Sequence, residues 1–243
     1  MSIARQHKAK VQADIKDGKV VVGNTPAANA VKGLAGAKKA GDLMLVALED
    51  DLATLSTIDN LAERAQRKKT MLPKYLDYIA SYQASGARHP NPVLVRVIIW
   101  LLDVEKIDAA LALADLAIEQ QQLMPERFKR DLPCFVIEMV VDWAERQNKE
   151  NHSAEPYLSE VVQRVLSKKW LISEPIIGGK LFKQAGINAE LVGDDKSAIG
   201  HYETAMAVNE RAGVKTRLDN ARKRLVNSAT GEESAAGQDS PTQ

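Results

Sequence analysis

The sequence predicts an all-α protein built from helical hairpins, and three observations carry that expectation. Ala and Leu are abundant while aromatic residues make up only 5% of the 243 positions, too few for a β-sandwich or barrel. After residue 42, apolar residues recur at steps of three and four through most of the chain. Strand-like alternation is confined to the short run at residues 19–22.

Residues 1–40 hold Gly18, Gly23, Gly33, Gly36 and Pro26 with few large apolar side chains, so a weakly cored small domain or an arm is expected there. From residue 42, Leu45, Leu48, Leu52, Leu55, Ile58, Ala62 and Ala65 mark one face of a long helix. It is expected to run to about residue 69 and to stop at Pro73. A short helix over 74–83 follows, then a breaker containing Gly86, Pro90 and Pro92. Further helices are expected over 93–102, 107–122, 132–146, 155–169, 176–185, 196–211 and 215–227, divided at Pro125, residues 148–153, Pro175, Gly193 and Gly213.

Phe182, Ala185, Gly186, Ala189, Gly193, Ala198, Tyr202 and Ala205 fall at the intervals of a tetratricopeptide unit, in which small residues let two antiparallel helices approach closely. Trp100, Leu101, Ala110, Ala114 and Ala117 form a weaker second case. The expectation is tetratricopeptide-like helix pairs rather than a repeat array. The domain organisation then reads as a basic segment over 1–40, a long-helix region over 41–85, a helical-hairpin domain over 86–227 and a disordered acidic and polar tail over 228–243.

Several function classes drop out. No stretch reaches the roughly 18 uncharged apolar residues of a transmembrane helix. The opening residues lack a secretory apolar run, and Cys134 is a single cysteine, so an intracellular compartment is expected. His7, His89, His152 and His201 are scattered without zinc-ligand spacing. Gly178-Gly179-Lys180 precedes Leu181, which has no hydroxyl for Mg²⁺, so no Walker A motif is present. Asp50 with Asp51, Glu138 with Asp142 and Asp194 with Asp195 are the closest acid pairs. Of these only Glu138 and Asp142 share a helix face, where a structural role beside an Arg is favoured over metal ligation. No catalytic residue, metal site or cofactor is expected.

Charge is distributed unevenly. The formal net charge is +1, yet residues 1–40 carry eight Lys/Arg against Asp14 and Asp17. Further basic clusters lie at Arg64, Arg67, Lys68 and Lys69 and at Arg211, Lys215, Arg217, Arg222, Lys223 and Arg224. Basic blocks on a neutral chain point to a polyanion-binding region, the alternative being solvated helix faces.

Leu72-Pro73, Trp100-Leu101-Leu102-Asp103, Ile107-Asp108-Ala109-Ala110-Leu111, Leu123-Met124-Pro125-Glu126-Arg127-Phe128-Lys129-Arg130 and Ala198-Ile199-Gly200-His201-Tyr202 follow one another in an order and spacing that resembles the GpM-type small terminase subunit of temperate tailed phages. The likeness covers roughly residues 1–227, and Met124, Pro125, Phe128, Lys129 and Arg130 form its most specific motif. The resemblance implies a genome-packaging component in the host cytoplasm that binds double-stranded viral DNA, assembles as a homo-oligomeric ring and regulates the large terminase subunit, without membrane contact. Some members of this family are described as endonuclease subunits. A long basic C-terminal extension is expected in some relatives, whereas residues 228–243 carry three acids and no base, which moves the expected DNA contact to Arg5, Lys8, Lys10, Lys16, Lys38 and Lys39. In the same frame Leu45, Leu48, Leu52 and Leu55 are expected to serve oligomerisation, with packing inside their own chain as the alternative. Two rival functions stand beside this one: a helical-repeat scaffold that binds a protein partner without touching DNA, and a metal-dependent endonuclease.

Overall fold

The computed structural model describes residues 26–236, with side chains over 39–228, and all its regular structure there is helical. In chain order the helices are α1 (Pro26–Ser56), α2 (Leu61–Ala84), α3 (Pro92–Asp103), α4 (Ile107–Glu119), α5 (Leu132–Lys149), α6 (Tyr157–Leu166), α7 (Pro175–Leu191), α8 (Asp195–Val208) and α9 (Lys215–Ala236). They form two compact units whose boundary falls inside α2: one takes the chain up to Asp59 together with Pro73–His89, the other takes Asn60–Leu72 and everything from Pro90 onward.

The all-α expectation holds, but the first two helices are divided differently from the periodicity. The break lies at residues 57–60, not at Pro73. The Ser56 and Thr57 hydroxyls turn back onto the carbonyls of Ala53 and Thr54, and the Asn60 side chain accepts from the Glu63 backbone N–H at 3.1 Å, capping a new helix. Pro73 sits inside α2. An interior proline costs a helix about 3 kcal/mol, and the burial of Leu72, Tyr75, Ile79 and Tyr82 around it offsets that. At the other end, α1 begins at Pro26, so the long helix reaches back into the segment expected to be an arm. Helix α9 likewise continues past Asn227 to Ala236, into the expected disordered tail.

In the first unit, Asp51 of α1 accepts from the Tyr75 hydroxyl at 2.6 Å and pairs with Lys74 at 2.7 Å. Gly41 lets the chains meet: a Cβ there would lie 3.1 Å from the Tyr78 hydroxyl. Both contacts join α1 to the C-terminal part of α2.

The second unit is a stack of helical hairpins. Helix α3 is buried along almost its whole length, and Trp100, Leu101, Ala110, Ala114 and Ala117 of the α3–α4 pair are all in the core. Asp115 ties α4 to the chain around α6, accepting from Arg164 at 3.1 Å and from the Trp170 indole at 2.8 Å and pairing with Lys169 at 2.9 Å. Burial alone would raise its carboxyl, but these three donors hold it below the usual carboxylate range. In the α7–α8 hairpin, Tyr202 is fully buried and lies directly on Gly186, where a Cβ would come within 2.3 Å of the ring. Ala185, Ala189, Ala198 and Ala205 complete that close contact, so the small-residue spacing read from the sequence marks a real helix pair.

Candidate functional site

The turn joining α4 to α5 carries the motif at 123–130, and it is pinned at both ends. At its start, the Gln122 side-chain oxygen accepts from the Asn91 backbone N–H at 2.6 Å, while Asn91 caps α3 by accepting from Leu94 at 3.1 Å. At its end, Asp131 caps α5 by accepting from Cys134 at 2.9 Å and takes the Ser173 hydroxyl at 2.6 Å. Between them the Phe128 N–H closes onto the Pro125 carbonyl at 2.9 Å.

Within the turn, Phe128 packs edge-on against Phe135, with ring centroids 5.2 Å apart. The Arg127 and Arg96 guanidiniums approach the same Phe128 ring at 4.9 and 5.9 Å. Arg130 reaches Glu138 of α5 at 3.0 Å, and Lys180 of α7 takes the other Glu138 oxygen at 2.8 Å. Lys129 is exposed, and Met124 and Phe128 are half-buried. Leu123, next to the Gln122 anchor at the head of the turn, is 85% exposed.

Of the other expected site residues, Arg5, Lys8, Lys10 and Lys16 lie outside the described residues. Lys38 falls in α1, and Lys39, also in α1, is exposed. Leu48 and Leu55 are buried by their own chain, at 3% and 5% exposure, and Leu45 and Leu52 are half-buried. Among the described side chains of α1, the exposed large apolar ones are Leu43 and Val46, one turn apart.

The basic cluster of α9 is largely spoken for. Arg217 and Arg224 converge on the two oxygens of Glu190 at 2.6 and 2.7 Å, Arg224 also holds Asp195 at 2.6 Å, and Arg222 holds Glu203 at 2.7 Å. Tyr202 donates to Glu190 at 2.7 Å. Burial would raise the Glu190 carboxyl, but Tyr202, Arg224 and Arg217 together hold it below the usual range. These arginines lock α9 onto α7 and α8. The sequence showed the cluster but not the acids, which lie 19 to 34 residues away along the chain.

A groove of about 1050 Å³ runs between α5, α7 and α9, lined by paired charges that include Lys180, Glu190, Arg217 and Arg224. Asp142 on its wall has its carboxyl pushed up by burial and by neighbouring Glu138. Glu138 is the partner of an Arg and a Lys, the structural role favoured for it from the sequence. Among the described residues no group of three or more His, Cys, Asp or Glu side chains is placed to hold a metal ion, and no helix is long and apolar enough to cross a membrane.

Residues 45–174 match the phage small terminase subunit family. The chain belongs to that family. It is 31% identical over 194 residues to a protein described as a probable terminase, endonuclease subunit, of Haemophilus phage HP1 (strain HP1c1), covering 74% of this chain and 68% of that one. It is 27% identical over 182 residues to a terminase, endonuclease subunit, of Escherichia phage P2, covering 75% and 73%. No solved structure matches the chain. The matched span begins within α1 and ends just before α7, so it contains the whole motif turn with both its anchors. The small terminase family places the chain's role in phage genome packaging.

Proposed function

We propose that this small terminase subunit recognises the double-stranded DNA of the packaging site, assembles as a homo-oligomeric ring and regulates the large terminase subunit in the host cytoplasm. Family membership over residues 45–174 carries the reading. The charge distribution supports a particular DNA contact. The α9 arginines are neutralised within the helical body, whereas the six-charge excess of residues 1–40 is the largest basic block of the sequence. Arg5, Lys8, Lys10, Lys16, Lys38 and Lys39 neutralise phosphates and release counterions, and multiplicity in a ring turns weak contacts into avidity.

The subunit face lies on α1, where Leu43 and Val46 are exposed and Leu45 and Leu52 half-buried, while Leu48 and Leu55 are already buried by their own chain. The domain roles follow as a basic DNA-contacting segment, a long-helix assembly region, a helical-hairpin body and an acidic tail. A gel-shift titration against phage-end DNA with light scattering on the same sample tests the reading. A retarded complex with a multi-subunit mass supports it, and a monomer that leaves the DNA unshifted overturns it.

A second reading assigns this chain the endonuclease activity in the two relatives' descriptions. The raised Asp142 carboxyl beside Glu138 favours it, and the capture of both Glu138 oxygens by Lys180 and Arg130 opposes it. The first reading expects no cleavage of packaging-site DNA by the purified chain with Mg²⁺ or Mn²⁺. Cleavage abolished by Glu138→Ala or Asp142→Ala with native helicity decides for the second.

A further inference from the structure

We propose that the recess formed by Arg96, Arg127 and Phe128 receives a carboxylate from an acidic, apolar-flanked segment of the large terminase subunit, a choice of partner that rests on the function proposed above. Arg96 is 7% exposed, and its Nη1 is buried without a hydrogen-bond partner. Among the described residues it forms no ion pair. Asp103, the acid whose charge reaches it, is itself paired with Lys68 at 2.6 Å. A second cation, Arg127, faces the same phenyl ring and its charge also reaches Arg96. Burial, and then Arg127, push the Arg96 guanidinium below its ordinary range.

A buried cation without a counter-ion destabilises a fold, and such a departure from internal pairing is characteristic of a binding site. Two guanidiniums converging on one ring form a clamp for a single anion, since a carboxylate accepts from both planar forks. The neighbouring residues of the turn identify the source. Leu123 stands 85% exposed at the head of the turn, followed by half-buried Met124. A DNA backbone gives these apolar side chains nothing to bury, whereas a protein segment with an apolar residue beside its acid covers them while its carboxylate enters the recess.

The test uses the full chain with Arg96→Met and, separately, Arg127→Ala. Binding to the purified large terminase subunit of the same phage is measured by calorimetry, with Tm and helicity recorded for each variant alone. In Arg96→Met the affinity falls at least ~30-fold while Tm, without partner, rises by about 3 °C because the unpaired charge is gone. In Arg127→Ala, whose side chain is exposed, affinity falls by about fivefold with Tm unchanged. Wild-type affinity in both variants overturns the recess and leaves the proposed partnership standing. A wild-type chain that does not bind the large subunit overturns both. A lower Tm in Arg96→Met makes the arginine structural and overturns the recess. Loss of DNA binding with intact large-subunit binding assigns the clamp to phosphate and overturns it as well.

Discussion

Arginines meet opposite fates in two parts of the helical body. On α9, Arg217, Arg222 and Arg224 each find a carboxylate on α7 or α8 at 2.6 to 2.7 Å, and Glu190 gathers two of them with a tyrosine hydroxyl. At the turn between α4 and α5, Arg96 and Arg127 share one aromatic ring and no acid. In sequence neither set shows whether it has an acid partner, because the partners are distant along the chain. The difference lies in where the fold puts the acids: a cation whose field is cancelled inside the body holds helices together, and one left uncancelled is available to something outside.

Disrupting the paired region directly has the largest expected effect. Gly186→Ala drives a methyl group into the Tyr202 ring, which is fully buried and holds Glu190 by its hydroxyl. Overpacking costs about 1–3 kcal/mol, and an approach of 2.3 Å to a buried ring puts the cost at the upper end, which exceeds the helix propensity gained, about 1 kcal/mol. Chemical denaturation should show a net loss of about 2 kcal/mol, and an unchanged or higher midpoint would mean that α7 and α8 are not in close contact.

Glu190→Gln keeps the shape and removes the charge, leaving Arg217 and Arg224 to compete for what remains. The expected cost is about 1–2 kcal/mol at neutral pH. Because the native carboxyl is held below its ordinary value, its contribution is present above the unfolded-state pKa of roughly 4.3 and is lost as the pH falls below that. The difference between wild type and Glu190→Gln should therefore shrink on titration from pH 6 to pH 3. A constant difference across that range would deny the carboxylate its role.

Arg222→Ala should matter least. Its pair with Glu203 is about half exposed on both sides, and such pairs contribute about 0.2–1 kcal/mol. A Tm change beyond about 3 °C would make this pair as integral as Glu190 and remove the gradient within α9.

Much of this was legible in the sequence, for reasons that also explain what was not. The α7–α8 pair announced itself because Gly186, Ala189 and Ala198 are small at positions where large residues would separate the helices. The break at 57–60 did not, since Ile58 and Ala62 keep the three-four rhythm across it while capping by Asn60 redirects the backbone. Pro73 misled in the opposite sense, because tertiary burial around Tyr75 and Ile79 overrides a local breaker. The motif at 123–130 could be located but not interpreted. Arg96 lies 31 residues before Arg127, and only the fold brings both to Phe128. The only hint was a lone arginine in an otherwise apolar run, Val93-Leu94-Val95-Arg96-Val97-Ile98-Ile99.

The assignment of DNA contact to the N-terminal segment is tested most directly by the salt dependence of double-stranded DNA affinity. The intact chain is compared with a variant carrying Arg5→Gln, Lys8→Gln, Lys10→Gln and Lys16→Gln, and with one carrying Lys215→Gln and Lys223→Gln on α9. Each lost phosphate contact lowers the slope of log affinity against log salt by about 0.9, so the first variant should bind more weakly with a slope smaller by about 3 to 4 per engaged subunit, and the second should match wild type. An unchanged slope in the first variant, with the loss appearing in the second, would contradict the account.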